Sequence, residues 1–477
     1  MSQTWVLLGS FFPPDLSAAY LVALIQPLLE TLGLVFGAMT VAFMLGLPLA
    51  MAASIESRSA SRWVTALAVF RAVPDLTLAI FCVILFGVGA GAGMMALILY
   101  YTAVVAKVFT DLLGTAPPQP IQALRATGAT RLHIALYGLL PLTRDDLLSY
   151  GAFAFECALR AAVIVGAVGG GGIGTELTGS LATFDFRRAA TLILLLVVLI
   201  AACDRLALWL RAHPRWLPAL IPPGLFAAAY YSPRFFAFDH AMGVFAEMLP
   251  PQLDANALAK LPQLIWETVW MALAGTLGAA VFGVPVAMAA SRKLSSRWLS
   301  IGTRRLLELT RTVPEVVWGM VLVTIVGIGP GAGAWALGLH SFGSLGRLFA
   351  DSLDNAAAQP QNAIASTGAT PTMIASYATI PLASGAMLTH ALFRLEWNMR
   401  MATVLGLIGA GGIGQALYEA QQLFFYRQAL AYVLMTAALI LITDKLSAGL
   451  RARCNRAHRH SHPLRVACIT LNRGRSE

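Results

Sequence analysis

The chain has 477 residues, 58% of them hydrophobic and only 12% charged, with a mean hydropathy of +0.72 and a formal net charge of +10. A soluble globular protein carries roughly twice that charged fraction, so composition excludes that class and predicts an all-α polytopic membrane protein. The continuous apolar stretch Leu192–Ala202 lacks the alternation of a membrane barrel.

In chain order, Met1–Tyr20 lacks the basic start of a secretory signal, and Phe11-Phe12-Pro13-Pro14-Asp15 breaks any early helix, so no cleaved peptide is expected. Spans are expected at 28–53, 72–88, 93–112, 146–167 and 188–209. Between the third and fourth lies a polar interruption, 114–141, holding Gln122, Ala123, Gly128 and Pro141. The fourth span carries Glu156 and Arg160 and closes on a glycine run that includes Gly171, Gly172 and Gly174. A short apolar segment, 216–232, is interrupted by Pro218, Pro222 and Pro223. Five more spans follow at 265–290, 312–328, 332–350, 384–408 and 428–446, then a basic tail.

The second half repeats the first at an offset of 240 residues. Arg71–Asp75 returns as Arg311–Glu315, Ala126–Thr130 as Ser366–Thr370, and Gly170–Gly174 as Ala410–Gly414. The second polar interruption, 355–381, holds Asn362, Ala363, Gly368 and Pro381; the fourth span of the second copy carries Glu396 and Arg400 and closes on a glycine run that includes Gly411, Gly412 and Gly414. A duplicated membrane unit suggests a pathway between two related halves.

Orientation follows the basic residues. With the loops 55–71, 107–144, 205–215, 291–311, 347–382 and 445–477 in the cytoplasm, 25 of the 33 lysines and arginines lie inside. The net charge is therefore topology plus attraction to membrane lipid, with no nucleic-acid partner expected. Both copies must face the same way, which requires an odd number of crossings between them. Only 216–232 can supply one, so 11 spans are expected, N-terminus outside and C-terminus cytoplasmic.

Each interruption places a short helical stretch, a Gly and, thirteen residues later, a Pro. Gly permits a sharp turn and Pro starts a returning helix without an unsatisfied amide. These residues resemble the cytoplasmic loop of binding-protein-dependent importer permeases, written E-A-A-x3-G-x9-I-x-L-P. The family's Glu is here Gln122 and Asn362, and its Ile is Gly138 and Ala378, so shape matters more than ionic contact. The stretches Phe11–Asp15, Ala123–Ala129, Arg311–Glu315, Phe393–Arg400 and Val404–Gly414 are similar to the phosphonate-uptake branch of ABC importer permeases.

The resemblance implies two parallel pseudo-symmetric permease units: 1–215, then a linking span and outer loop at 216–263, a second unit at 264–450 and a cytoplasmic tail at 451–477. It implies a bacterial inner-membrane translocation subunit, not an enzyme. ATP would be bound by a partner ATPase dimer on the two loops, and an extracytoplasmic binding protein would deliver a phosphonate or similar oxyanion. Permeases for methionine and other small solutes share these motifs and remain an alternative. An ion-coupled secondary transporter is the alternative class.

Glu156 with Arg160, and Glu396 with Arg400, stand four apart, the favourable order for intrahelical pairs. They act either as a structural clasp or as a lining of the route. Either charge alone costs about 3 kcal/mol in a bilayer, which points both toward the bundle interior. The glycine runs are followed by no Lys-Ser or Lys-Thr, so they read as bendable gating termini, not phosphate loops. The cysteines Cys82, Cys157, Cys203, Cys454 and Cys468 lack metal-ligand spacing, and no cofactor or metal is expected in this chain.

Overall fold

The computed structural model describes residues 9–54, 62–64, 74–213, 219–231 and 238–460, and no strand occurs among them. The contacts divide into two units, one of residues 1–259 with 416–437 and one of 260–415 with 438–477.

The first unit opens with α1 (Ile25–Ser54), a 30-residue apolar helix. Pro74 starts the 12-residue α2 (Asp75–Phe86), where its missing amide costs nothing. Gly87 and Gly89, at φ +82° and +140°, turn the chain into α3 (Ala90–Leu113). The polar interruption forms α4 (Pro118–Ala126) and a returning stretch, 131–142. Then come α5 (Arg144–Val165), α6 (Ile173–Ala182), α7 (Phe186–Ala212), α8 (Ile221–Tyr231) and α9 (Phe238–Glu247).

The helices of the first unit close on small residues, as membrane helices must when lipid offers no hydrophobic drive. A Cβ on Gly46 would sit 2.8 Å from Val105, and one on Gly37 would meet the Ala228 backbone and the Met94 sulfur at 3.0 Å. Met51, Val105, Phe109, Leu139 and Leu147 belong to one buried core that includes the Val105 side of the Gly46 crossing.

The second half supplies α10 (Ala255–Ala290), α11 (Arg297–Thr312), α12 (Glu315–Val326), α13 (Pro330–Asp354), α14 (Ala358–Ala365), α15 (Ile380–Leu405), α16 (Gly412–Gln422) and α17 (Tyr426–His460). Pro314, Gly327 and Gly329 repeat the cap and turn of the first copy. Phe349, Leu345, Leu307, Leu353 and Met387 form the second unit's core.

The expected 11 spans are not all reproduced by length and composition. Among the described residues six helices qualify, or eight if each of two bent pairs is one span. The other three expected spans fail for separate reasons. Helix α2 has only 12 residues and α8 only 11, about 18 and 16 Å of rise. Helix α13 is long enough at 25 residues, but it buries His340 and Ser341, a composition permitted to a helix enclosed by protein. The tail also differs: 451–460 continues α17, so only 461–477 lies outside the described residues.

Candidate functional site

Each polar interruption is a compact helical knob. In the first, α4 ends at Thr127, and Gly128 adopts φ +78°; in the second, α14 ends at Ser366 and Gly368 adopts φ +79°. Nothing lies within 4 Å of a Cβ built on either glycine, so backbone conformation and not space demands Gly there. The Thr130 hydroxyl accepts from the His133 amide and Thr370 from Met373, which caps each returning helix.

The two knobs match in exposure over 121–130 and 361–370, and again over 135–141 and 375–381. Gln122, Ala123, Asn362 and Ala363 are exposed, as are Pro141 and Pro381. Gly138 is where the knob's helices touch: a Cβ would sit 2.8 Å from Leu124 and 3.0 Å from Ile121. The equivalent Ala378 is buried. On the returning stretches Tyr137 and Tyr377 are 71% and 74% exposed, and Leu132 and Met373 are exposed as well. These tyrosines had no part in the expected site, although they repeat at the same 240-residue offset.

The glycine runs are less free than a bendable terminus would be. Helix α5 ends in a kinked turn, 166–170, with Gly169 at φ +95°, and α15 in 406–410 with Gly409 at φ +98°. The Gly89 amide donates to Gly169 O (2.8 Å), and the Gly329 amide to Gly409 O (3.0 Å). Ile173 N donates to the Thr31 hydroxyl at 2.9 Å, and Ile413 N to Thr268 at 3.0 Å. Gly412 N donates to Glu267 at 2.9 Å. A Cβ on Gly174 would lie 2.0 Å from Val163 O, and one on Gly414 1.9 Å from Thr403 O. Gly171 and Gly411 have positive φ as well, beside the carboxylates of Glu30 and Glu267, and a Cβ on Gly172 would meet Thr31. Each run is a knot stapled to two neighbouring helices, and those helix-start amides already have side-chain acceptors.

The intramembrane charges correct one expected pair. Glu156 and Arg160 do pair within α5. Glu396 and Arg400 do not pair with each other: Arg400 reaches Asp444 at 2.8 Å, while Glu396 is bonded by Arg451. Both partners lie on α17, so the charges tie two helices instead of one turn. Arg451 also donates to Ser447 (2.7 Å) and stands 4.1 Å over the Phe393 ring. At the offset of 240, Asp444 and Arg451 match Asp204 and Arg211, so all four charges recur in the first copy. The side chains of Asp204 and Arg211 are outside the described residues.

The second copy also holds a polar cluster that single positions in the sequence did not signal. Buried Glu315 accepts from the Trp397 indole (2.7 Å), and its other oxygen lies 3.4 Å from His340 Nε2. Asn398 donates to Thr276 (2.8 Å) and Ser341 (2.9 Å), and Arg394 donates to the Ser341 hydroxyl (2.7 Å). These two adjoining groups of bonds draw on four helices, α10, α12, α13 and α15. The first copy places Asp75, Tyr100, Tyr101, Ala154, Cys157 and Ala158 at the corresponding positions, so the copies differ in their interiors.

Both copies dock a Pro-Pro loop on the first turn of their last helix. Arg187 donates to Pro13 O (2.9 Å), and Asp15 N to Arg187 O (3.2 Å). The Ser17 amide and Arg188 hold the Asp15 carboxyl below its usual range. Arg427 likewise donates to Glu247 O, at 3.4 Å, and accepts from Gln252 N. Beside that second joint lies an open cavity of about 440 Å³ lined by Asp254, Phe425, Tyr426 and Gln428 among others.

The chain matches the family model described as binding-protein-dependent transport system inner membrane component twice, over residues 23–215 and 279–456. It is 28% identical over 404 residues to the phosphate-import permease protein PhnE of Mycolicibacterium smegmatis, covering 80% of this chain and 76% of that protein. Over 206 residues it is 35% identical to the phosphite transport system permease protein PtxC of Stutzerimonas stutzeri, covering 43% of this chain and 74% of that one. A putative cryptic phosphonate transport system permease protein of Escherichia coli is 38% identical over 120 residues, 25% of this chain and 98% of its own length.

Proposed function

The chain belongs to the family of binding-protein-dependent transport system inner membrane components, and from that premise we propose that it is the whole translocation pathway of an ATP-driven oxyanion importer. Its two fused units stand where two separate permease subunits would. A separate ATPase dimer docks on the knobs at Gly128 and Gly368, and an external binding protein delivers a phosphonate, phosphite or phosphate. The observation that carries this reading is the duplicated knob, alike in backbone, capping and exposure across 240 residues. The relatives named for phosphate, phosphite and phosphonate transport support the substrate class. The basic loops support N-terminus out and C-terminus in, at a bacterial inner membrane.

Proteoliposomes holding this chain with its ATPase and binding protein test the proposal. We expect uptake of methylphosphonate or phosphite that requires ATP inside and binding protein outside. Cysteines at 137 and 377 should crosslink to the ATPase. Uptake driven by an ion gradient without ATP would make the chain a secondary transporter, and ATP-driven uptake of methionine would replace the substrate.

A further inference from the structure

Helix α11 has three faces: one is buried, one is apolar and exposed, and one is basic and touches the protein only through Glu308 among the described contacts. Ser300, Arg304 and Leu307 are buried: the Ser300 hydroxyl and Arg304 Nε donate to Ala290 O at 2.7 and 2.9 Å. The Arg304 guanidinium continues to Asp351 (3.1 Å) and Asp354 (2.8 Å). At 3.6 residues per turn, Trp298, Leu299, Leu306 and Leu309 fall on a second arc, exposed by 84%, 52%, 49% and 68%. Arg297, Arg305 and Glu308 fall on the third. Glu308 pairs with Arg305 at 2.8 Å and with Arg347 at 3.0 Å. Arg292, Arg297, Arg305 and Arg311 are all exposed.

The bend between α11 and the apolar α12 is 81°. With α12 along the membrane normal, α11 lies nearly in the membrane plane. Four large apolar side chains then face the acyl boundary, and a basic flank sits at headgroup height, the form of an interfacial helix. Such arginines bury their stems and hold their charge among phosphates.

We infer that α11 is an anionic-phospholipid binding surface on the cytoplasmic leaflet, with Arg297 and Arg305 each holding a headgroup. They stand eight residues apart, about 12 Å along the axis, which separates two headgroups instead of chelating one. The surface belongs to the second copy. Ser61-Arg62-Trp63 matches Ser296-Arg297-Trp298, but the first copy then runs nine residues from Arg62 to Arg71 where the second runs fourteen from Arg297 to Arg311. The shorter segment has no counterpart of the Arg304-Arg305 pair. This inference does not depend on what is transported.

Trp298 is a local reporter. The full chain and Trp298→Phe are placed in phosphatidylcholine nanodiscs containing brominated phosphatidylglycerol or brominated phosphatidylcholine, and the difference in tryptophan quenching is read. Brominated phosphatidylglycerol should quench Trp298 more than the zwitterionic lipid. Arg297→Gln and Arg305→Gln should each cut that preference about fivefold, equivalent to about 1 kcal/mol per basic side chain. Arg305→Lys should retain it. Both arginines are exposed, so folding should survive, and Arg297→Gln alone gives the answer should the double variant not insert. Equal quenching by both lipids, no quenching by either, or a preference that persists in the double variant would overturn the inference.

Discussion

Arg400 shows how one residue's partner changes what it predicts. Four positions from Glu396, it invites an intrahelical pair, yet its guanidinium donates to Asp444 on another helix. Both side chains retain some exposure, 19% and 29%, so the pair is half-screened and not a fully desolvated ion pair. Charged hydrogen bonds of this kind contribute about 1.5–3 kcal/mol. Arg400→Met should therefore lower stability by an amount near that range, read as a fall in melting temperature, and adding Asp444→Leu should recover most of it, because no orphan carboxylate remains. Adding Glu396→Gln to Arg400→Met should recover nothing, since Glu396 keeps Arg451. Thermal melts of the four proteins in each cycle decide this, and rescue by Glu396→Gln instead of Asp444→Leu would restore the intrahelical pair. Lost uptake in Arg400→Met with an unchanged melt would place the arginine on the route.

At the scale of elements, the local devices were legible and the tertiary ones were not. Gly128 and Gly368 announce a turn because a positive φ is a property of one residue, and Pro at helix starts acts equally locally. The Thr31 and Thr268 staples and the Glu315 cluster depend on which helices pack together, which no periodicity reveals. For the same reason the glycine runs suggested a bendable end while the structure shows a knot. Gly414 tests that difference. Its missing Cβ faces a backbone oxygen at 1.9 Å, which cannot yield as a side-chain tip would. Gly414→Ala should cost about 3 kcal/mol or more by overpacking. Gly331→Ala, which has open space at its Cβ, should be neutral or slightly stabilising by helix propensity. Equal melting of the two variants would show that the break is loose and return it to the role of a flexible gate.

For the whole molecule the decisive matter is whether the chain crosses the membrane between its copies. Helix α8 alone has about 16 Å of rise against a core of about 30 Å. Its packing, however, is that of a membrane helix. A Cβ on Gly33 would meet Tyr231 at 2.5 Å, and one on Gly224 would meet Thr40 at 2.0 Å; the Gly37 contact with Ala228 completes a small-residue seam along the middle of α1. Aligned on Thr31 and Thr268, the seam positions Gly33, Gly37 and Thr40 become Trp270, Ala274 and Leu277 on α10, with Trp270 and Leu277 exposed. The sequence thus provides a helix-docking groove only on the copy that precedes the link. From this groove at mid-helix we predict that α8 sits within the bilayer, and parity then predicts Lys260 outside and Arg292 inside. Single cysteines at 260 and 292, in a chain with its five native cysteines replaced, should react with an impermeant maleimide from the outer and the cytoplasmic side respectively. Labelling of position 260 from the cytoplasm alone would remove the crossing, turn the two copies to face opposite ways, and leave only one knob within reach of an ATPase.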